Sequence, residues 1–303
     1  MTIDQALNWL ITIALVEMMV AIGLSVTGSE LLRVARNWQL VARALLANYV
    51  LVPGVTVGLL LLFDVQPLVA AGFLILAACP GAPYGPPLTA VARGNVPIAV
   101  GLMVLLAGSS AIVAPLLLRF LLPWISRDAT LQLEATTIVA TLLVTQLVPL
   151  GVGIAFRQFR PRQAEWLQPP AVRLSRFLNL AAVGLILIAQ SRSLTEIQPR
   201  GLLGMCLLLA ASGLIGWLLG GRNAAARRSL TVTTSLRNIA VGLVVATSCF
   251  ANTPALTAVV SYGLLSLLGT LGLSLWLGYV QRDESVDVAV AKDERASTDL
   301  PAD

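Results

Sequence analysis

Residues 229 to 249 form an apolar run long enough to enter a bilayer, yet its first half carries Thr231, Thr233, Thr234, Ser235, Arg237 and Asn238. Hydroxyl side chains can bond back to their own helix, so the serine and threonines alone mean little. An arginine within a span costs roughly 2.5–3.5 kcal/mol on insertion scales and marks a functional site by default. The competing reading is a shallower Arg237 that snorkels to the interface beside Arg227 and Arg228. A second apolar run is interrupted by Cys79-Pro80-Gly81-Ala82-Pro83-Tyr84-Gly85-Pro86-Pro87. Each proline removes a backbone donor and clashes with the preceding turn. A packed kink needs one proline; four prolines and two glycines within eight residues predict unwound backbone. Its freed amides and carbonyls must face protein or a water-filled cavity, because lipid satisfies neither.

Such groups can hold and pass a solute but offer little covalent chemistry. Histidine is absent, and no Ser/His, Cys/His or paired-carboxylate set lies within the apolar runs. No G-x-x-x-x-G-K-[ST] loop appears, so neither an enzyme, a nucleotide nor another cofactor is expected. Cys79, Cys206 and Cys249 all sit in apolar segments, as small core residues rather than disulfides or metal ligands. Glu17 is the acid deep within a span. It is a candidate to pair with Arg237 or to couple protons; the plainer reading is a glutamate facing an internal cleft.

The elements that position these residues follow from composition. Hydrophobic residues make up 57% of the chain and charged residues 12%, with mean hydropathy +0.86. Soluble domains hold roughly 45–50% apolar residues, so this chain is expected in a lipid bilayer. Runs near 7–27, 39–62, 67–92, 96–121, 131–156, 172–190, 201–220, 229–249 and 255–280 predict nine transmembrane helices. The first run has no Lys or Arg before it and no small-residue cleavage site, so it is expected to stay as a helix. Residues 281–303 turn polar and read as a disordered cytoplasmic tail.

Alternating the loops between two sides puts fifteen of the twenty Lys+Arg on one face and four on the other, with Arg237 left inside a span. The positive-inside rule then places the N-terminus outside and the C-terminus in the cytoplasm. The net charge of +5 is thus a topology signal and does not imply nucleic acid. Nineteen arginines against one lysine suggest a GC-rich bacterial genome, hence a bacterial plasma membrane. The six tryptophans fall mostly near span ends, as interfacial belts do.

Broken spans at matching positions of two halves predict an inverted repeat with its site at the repeat interface. The first repeat would cover about 7–121, a linking helix about 131–156, and the second repeat about 172–280. The spans interrupted at 80–87 and 233–238 are then equivalent members of the two repeats.

The stretch CPGAPYGPPLTAVARGN, Cys79 to Asn95, resembles the CPGG...SN...ARGN or ARGD stretch of the bile acid:sodium symporter family. RSLTVTTSLRNIAVGLVVA, Arg228 to Ala246, is similar to that family's second signature. The resemblance implies two broken helices crossing at mid-membrane, a core domain moving against a panel domain, and two sodium ions behind the crossing. Pro83, Tyr84, Gly85, Pro86, Arg237 and Asn238 are then the expected substrate-binding residues. The sodium ligands do not carry over. The family's Ser-Asn pair falls on Gly85 and Pro86, its fourth-helix hydroxyls on Ala99 and Met103, and its bridging Glu on Thr233. Its next Gln falls on Arg237 and a further ligand Gln on Asn48, with Thr234 and Leu236 in the same ion-site stretch. A hard cation needs several oxygens, usually with a carboxylate. Sodium coupling is therefore doubtful, and Arg237 is expected to replace the ion's charge and draw in a small organic anion. A sodium-coupled symporter with a remodelled site, or a receptor that has lost transport, are the competing readings.

Overall fold

The computed structural model describes residues 3–125, 135–189, 199–250 and 253–298, and every described element is helical. Helix α1 (Ile3–Ser25) turns by 82° into the short amphipathic α2 (Gly28–Arg36). The bend is fixed by Thr27, whose hydroxyl accepts from the Glu30 amide at 3.3 Å while its own amide donates to Glu30 Oε2 at 2.9 Å. This reciprocal capping box satisfies donors that a helix start otherwise leaves orphaned. Helix α3 (Trp38–Leu46) runs through a π turn at Ala47–Leu51 into α4 (Val52–Leu62). Then come α5 (Pro67–Ala78), α6 (Gly85–Val91) and the long α7 (Val96–Ile125). Helix α8 (Ala135–Leu142) passes through a second π turn, Leu143–Leu147, into α9 (Val148–Phe159). The rest are α10 (Pro161–Ala189), α11 (Pro199–Leu219), α12 (Ala224–Ser235), α13 (Ile239–Cys249) and α14 (Pro254–Thr298).

Among the described residues, six helical stretches are long and apolar enough to span a membrane, or seven with the bent pair α1 and α2. Two of the nine expected runs are not among these stretches. The run 67–92 is divided into α5 and α6, each too short to span alone. The run 172–190 is the second half of α10, whose first half begins with the polar stretch PRQAEWLQ. At the other end, α14 continues to Thr298, so the disordered tail expected from Gln281 is instead helical backbone as far as Thr298. Residues 281–298 contain neither Gly nor Pro, so nothing in the chain stops the helix there.

Two packing groups emerge. Helix α1 lies chiefly against α9 and α10, whereas α5 packs on α7 and α14, and α12 on α11. Lipid removes the hydrophobic drive between helices, so small residues that let backbones touch decide the pairing. A Cβ at Gly23 of α1 would lie 2.6 Å from the Leu150 carbonyl oxygen and 2.7 Å from Gly153 Cα of α9. That crossing has no room for any side chain.

Candidate functional site

Both interrupted runs lose their helix in the structure. Helix α5 stops at Ala78; Gly81 takes φ +82°, and α6 restarts at Gly85 with prolines in its first turn, where the missing N–H costs nothing. Gly81 is required twice over, because its backbone is left-handed and a Cβ would overlap Ala107 of α7. Helix α12 ends at Ser235, Leu236 is extended (φ −96°, ψ 135°), and α13 restarts after Asn238.

The two breaks touch. The Asn238 amide donates to the Cys79 carbonyl at 2.9 Å, and Asn238 Nδ2 donates to the Gly81 carbonyl at 3.3 Å. Asn238 Oδ1 accepts from the Val241 amide at 3.3 Å, capping α13. One side chain therefore joins the breaks and starts the second half-helix.

Arg237 is 1% exposed, so the snorkelling alternative fails. Its Nη2 donates to the Thr234 carbonyl at 2.6 Å and its Nη1 to the Ala77 carbonyl at 3.4 Å. Both are last-turn carbonyls, of α12 and α5 respectively, which a helix end leaves without internal partners. Each helix C-terminus carries roughly half a negative charge, so two of them sum to about −1 against the guanidinium's +1. This is how a buried arginine persists without a carboxylate. The expected pairing with Glu17 does not form: the ion pair among the described residues is Arg157–Glu165 at 3.3 Å. Glu17 instead faces α10, where Ser175 is the polar side chain against it.

The guanidinium is within electrostatic reach of Tyr262, Cys79 and Tyr49. The π turn of α3 and α4 brings Asn48 and Tyr49 there. Asn48 Nδ2 donates to the Ala44 carbonyl at 2.9 Å and to Thr234 Oγ1 at 3.4 Å, and the Tyr49 hydroxyl donates to the Leu106 carbonyl at 2.9 Å. The second π turn sends Gln146 Nε2 to the Ala107 carbonyl and, at 2.9 Å, to Ser110 Oγ. π bulges often accompany functional sites because they re-aim single side chains. Their trace in the sequence is Asn48 and Gln146, each an amide in the interior of an apolar run.

At the breaks lies a cavity of about 70 Å³. Pro83, Tyr84, Arg237 and Asn238 line it, with Ile11, Ala14 and Met18 of α1 and Leu180 of α10. Gly85 and Pro86 do not; they are buried in the first turn of α6. The cavity wall does not include Ala77, Thr234, Tyr49, Cys79 or Tyr262, the surroundings of the guanidinium. The two carbonyls that hold the guanidinium thus lie outside the cavity wall, although Arg237 itself is part of that wall. Of the remaining residues at sodium-ligand positions, Ala99 and Met103 are buried without a side-chain oxygen, Thr233 Oγ1 is bonded to the Ser229 carbonyl at 2.7 Å, and Leu236 is apolar. Apart from Asn48, Thr233 and Thr234, these positions offer a hard cation no side-chain oxygen.

An all-helical chain with membrane-spanning stretches and two unwound segments meeting in its interior is a multi-pass membrane transporter. The family model of the sodium bile acid symporter family matches residues 12–212, and the chain belongs to that family. Relatives include a probable sodium/metabolite cotransporter BASS1, chloroplastic, of Arabidopsis thaliana, 26% identical over 89% of this chain and 67% of that protein. The uncharacterized sodium-dependent transporter YocS of Bacillus subtilis is 22% identical over 91% of this chain and 85% of its own length.

Proposed function

We propose that the chain is a secondary transporter of a small organic anion and that it works without sodium coupling. In this reading nine spans form an inverted repeat, with the N-terminus outside and the C-terminus in the cytoplasm of a bacterial plasma membrane. Helices α1, α9 and α10 act as a panel; the broken helices and their neighbours act as a core. Alternating access comes from movement of the core against the panel, which exposes the cavity at the breaks to each side in turn.

The observation that carries the sodium-free reading is the Arg237 guanidinium, shared between the Thr234 and Ala77 carbonyls at the ends of two half-helices. Unwound carbonyls and half-helix C-termini are what coordinate a cation in discontinuous-helix transporters. Here a tethered cation takes those oxygens. The test is uptake into proteoliposomes with an inward sodium gradient or with choline in its place. Equal initial rates support the proposal, and a several-fold stimulation by sodium defeats it. The names of the relatives favour the second reading, a symporter that keeps sodium in a remodelled site. The same experiment separates the two.

A further inference from the structure

If the Arg237 guanidinium is committed to two main-chain carbonyls, the cavity needs another cation to recognise an anion. We propose that Arg176 of α10 is that residue, and that the site takes short carboxylates with a compact apolar body. The assignment rests on the transport reading above.

Three observations place Arg176. Leu180 lines the cavity, and Arg176 lies four residues before it, on the same face of α10. Arg176 is within electrostatic reach of Tyr84, which lines the opposite wall at the first break. The depth follows from the antiparallel packing of α1 and α10. Gln168 Nε2 donates to Ser25 Oγ at 3.2 Å, and counting eight residues along each helix sets Arg176 level with Glu17, about 12 Å deeper at 1.5 Å per residue. Met18, in the cavity wall, stands at that level. Arg176 is therefore an arginine at span depth beside the cavity, where ionisable side chains mark solute paths.

Its charge is also available. Glu17 is the acid at the same level, but it faces Ser175 and makes no ion pair. Arg176 has no ion pair among the described residues, and its side chain is exposed. Most of the remaining wall is aliphatic, including Ile11, Ala14, Met18 and Leu180. A carboxylate at Arg176 therefore leaves its carbon chain against apolar side chains. A volume of about 70 Å³ suits a few heavy atoms rather than a fused-ring steroid.

The test uses the full chain in proteoliposomes. Counterflow is measured with labelled pyruvate, against unlabelled 2-oxobutyrate, 2-oxohexanoate, cholate and pyruvamide as competitors. The expected result is competition by the two short oxo acids, little by cholate or by the uncharged amide, and a KM raised about 10- to 100-fold in Arg176→Gln. Arg176→Lys should recover part of that loss, because a point charge replaces a bidentate fork. Thermal unfolding of the unliganded Arg176→Gln protein should match wild type, which separates loss of recognition from loss of fold. An unchanged KM in Arg176→Gln overturns the assignment. Exchange of pyruvamide but not of pyruvate overturns the assignment while leaving transport intact, and exchange of none of these solutes counts against the transport reading itself.

Discussion

Replacing Arg237 by glutamine converts the tethered cation into an empty cation site, and the structure sets the size of the effect. Glutamine is shorter and puts its two N–H donors on one nitrogen, so it can keep a bond to the Thr234 carbonyl now held at 2.6 Å but loses the fork of separate nitrogens that also reaches the Ala77 carbonyl at 3.4 Å. Losing the charge weakens the first bond from the charge-assisted range of about 1.5–3 kcal/mol to the neutral range of about 0.5–1.5 kcal/mol. The bond to Ala77 is long and adds less. Removing a buried cation also relieves its desolvation, which opposes these losses. The net expectation is a destabilisation of about 1–3 kcal/mol in sodium-free buffer. The two C-terminal half-charges then have no cation, so sodium should become stabilising. At a concentration ten times its dissociation constant, linkage gives RT ln 11, about 1.4 kcal/mol. The assay is thermal unfolding in sodium chloride against choline chloride at equal ionic strength, for both proteins. Sodium should stabilise Arg237→Gln and leave wild type unchanged. Stabilisation of wild type by sodium, with no further gain in the variant, refutes the tethered-cation argument.

Asn238→Ala removes the Nδ2 bond to Gly81 and the cap on Val241, and should cost roughly 2–4 kcal/mol from one stranded buried carbonyl plus one lost cap, read by thermal unfolding. Gly81→Ala places a Cβ against Ala107 in left-handed backbone; a loss of at least about 2 kcal/mol together with transport is expected, and wild-type uptake would contradict it. Glu30, in α2, is held below the usual glutamate value by hydrogen bonds from the Thr27 backbone and side chain. A lowered folded-state value means that its stabilisation is present above the unfolded value, about 4.3, and is lost as pH falls through the folded one. Unfolding titrations should show a small loss below pH about 4.3 that Thr27→Ala reduces but does not abolish, because the backbone amide of residue 27 still donates to Glu30.

Apolar run length, the proline-glycine cluster and an arginine inside a span were legible because each breaks a rule that lipid enforces locally. Lipid solvates neither a freed carbonyl nor a charge, so Pro80 to Pro87 and Arg237 announce an interruption without reference to the rest of the chain. The direction of Arg237 was not legible. Sequence reasoning aimed it at the solute; in the structure it lines the cavity while its guanidinium is held by the carbonyls of Ala77 and Thr234. Those two acceptors lie 160 and 3 residues away, and only the meeting of the two breaks brings the Ala77 carbonyl to Arg237.

The same holds for Arg176, which reads as one more basic residue near a span end. Its place beside the cavity follows only because α10 packs antiparallel to α1 and brings residue 176 to the depth of Met18. The sequence by itself determined the solvent of this protein and the places where helix must fail, since both depend on short-range backbone chemistry. Which charges face the solute and which are spent on the fold depends on contacts between segments far apart in the chain, and tertiary structure alone decided it.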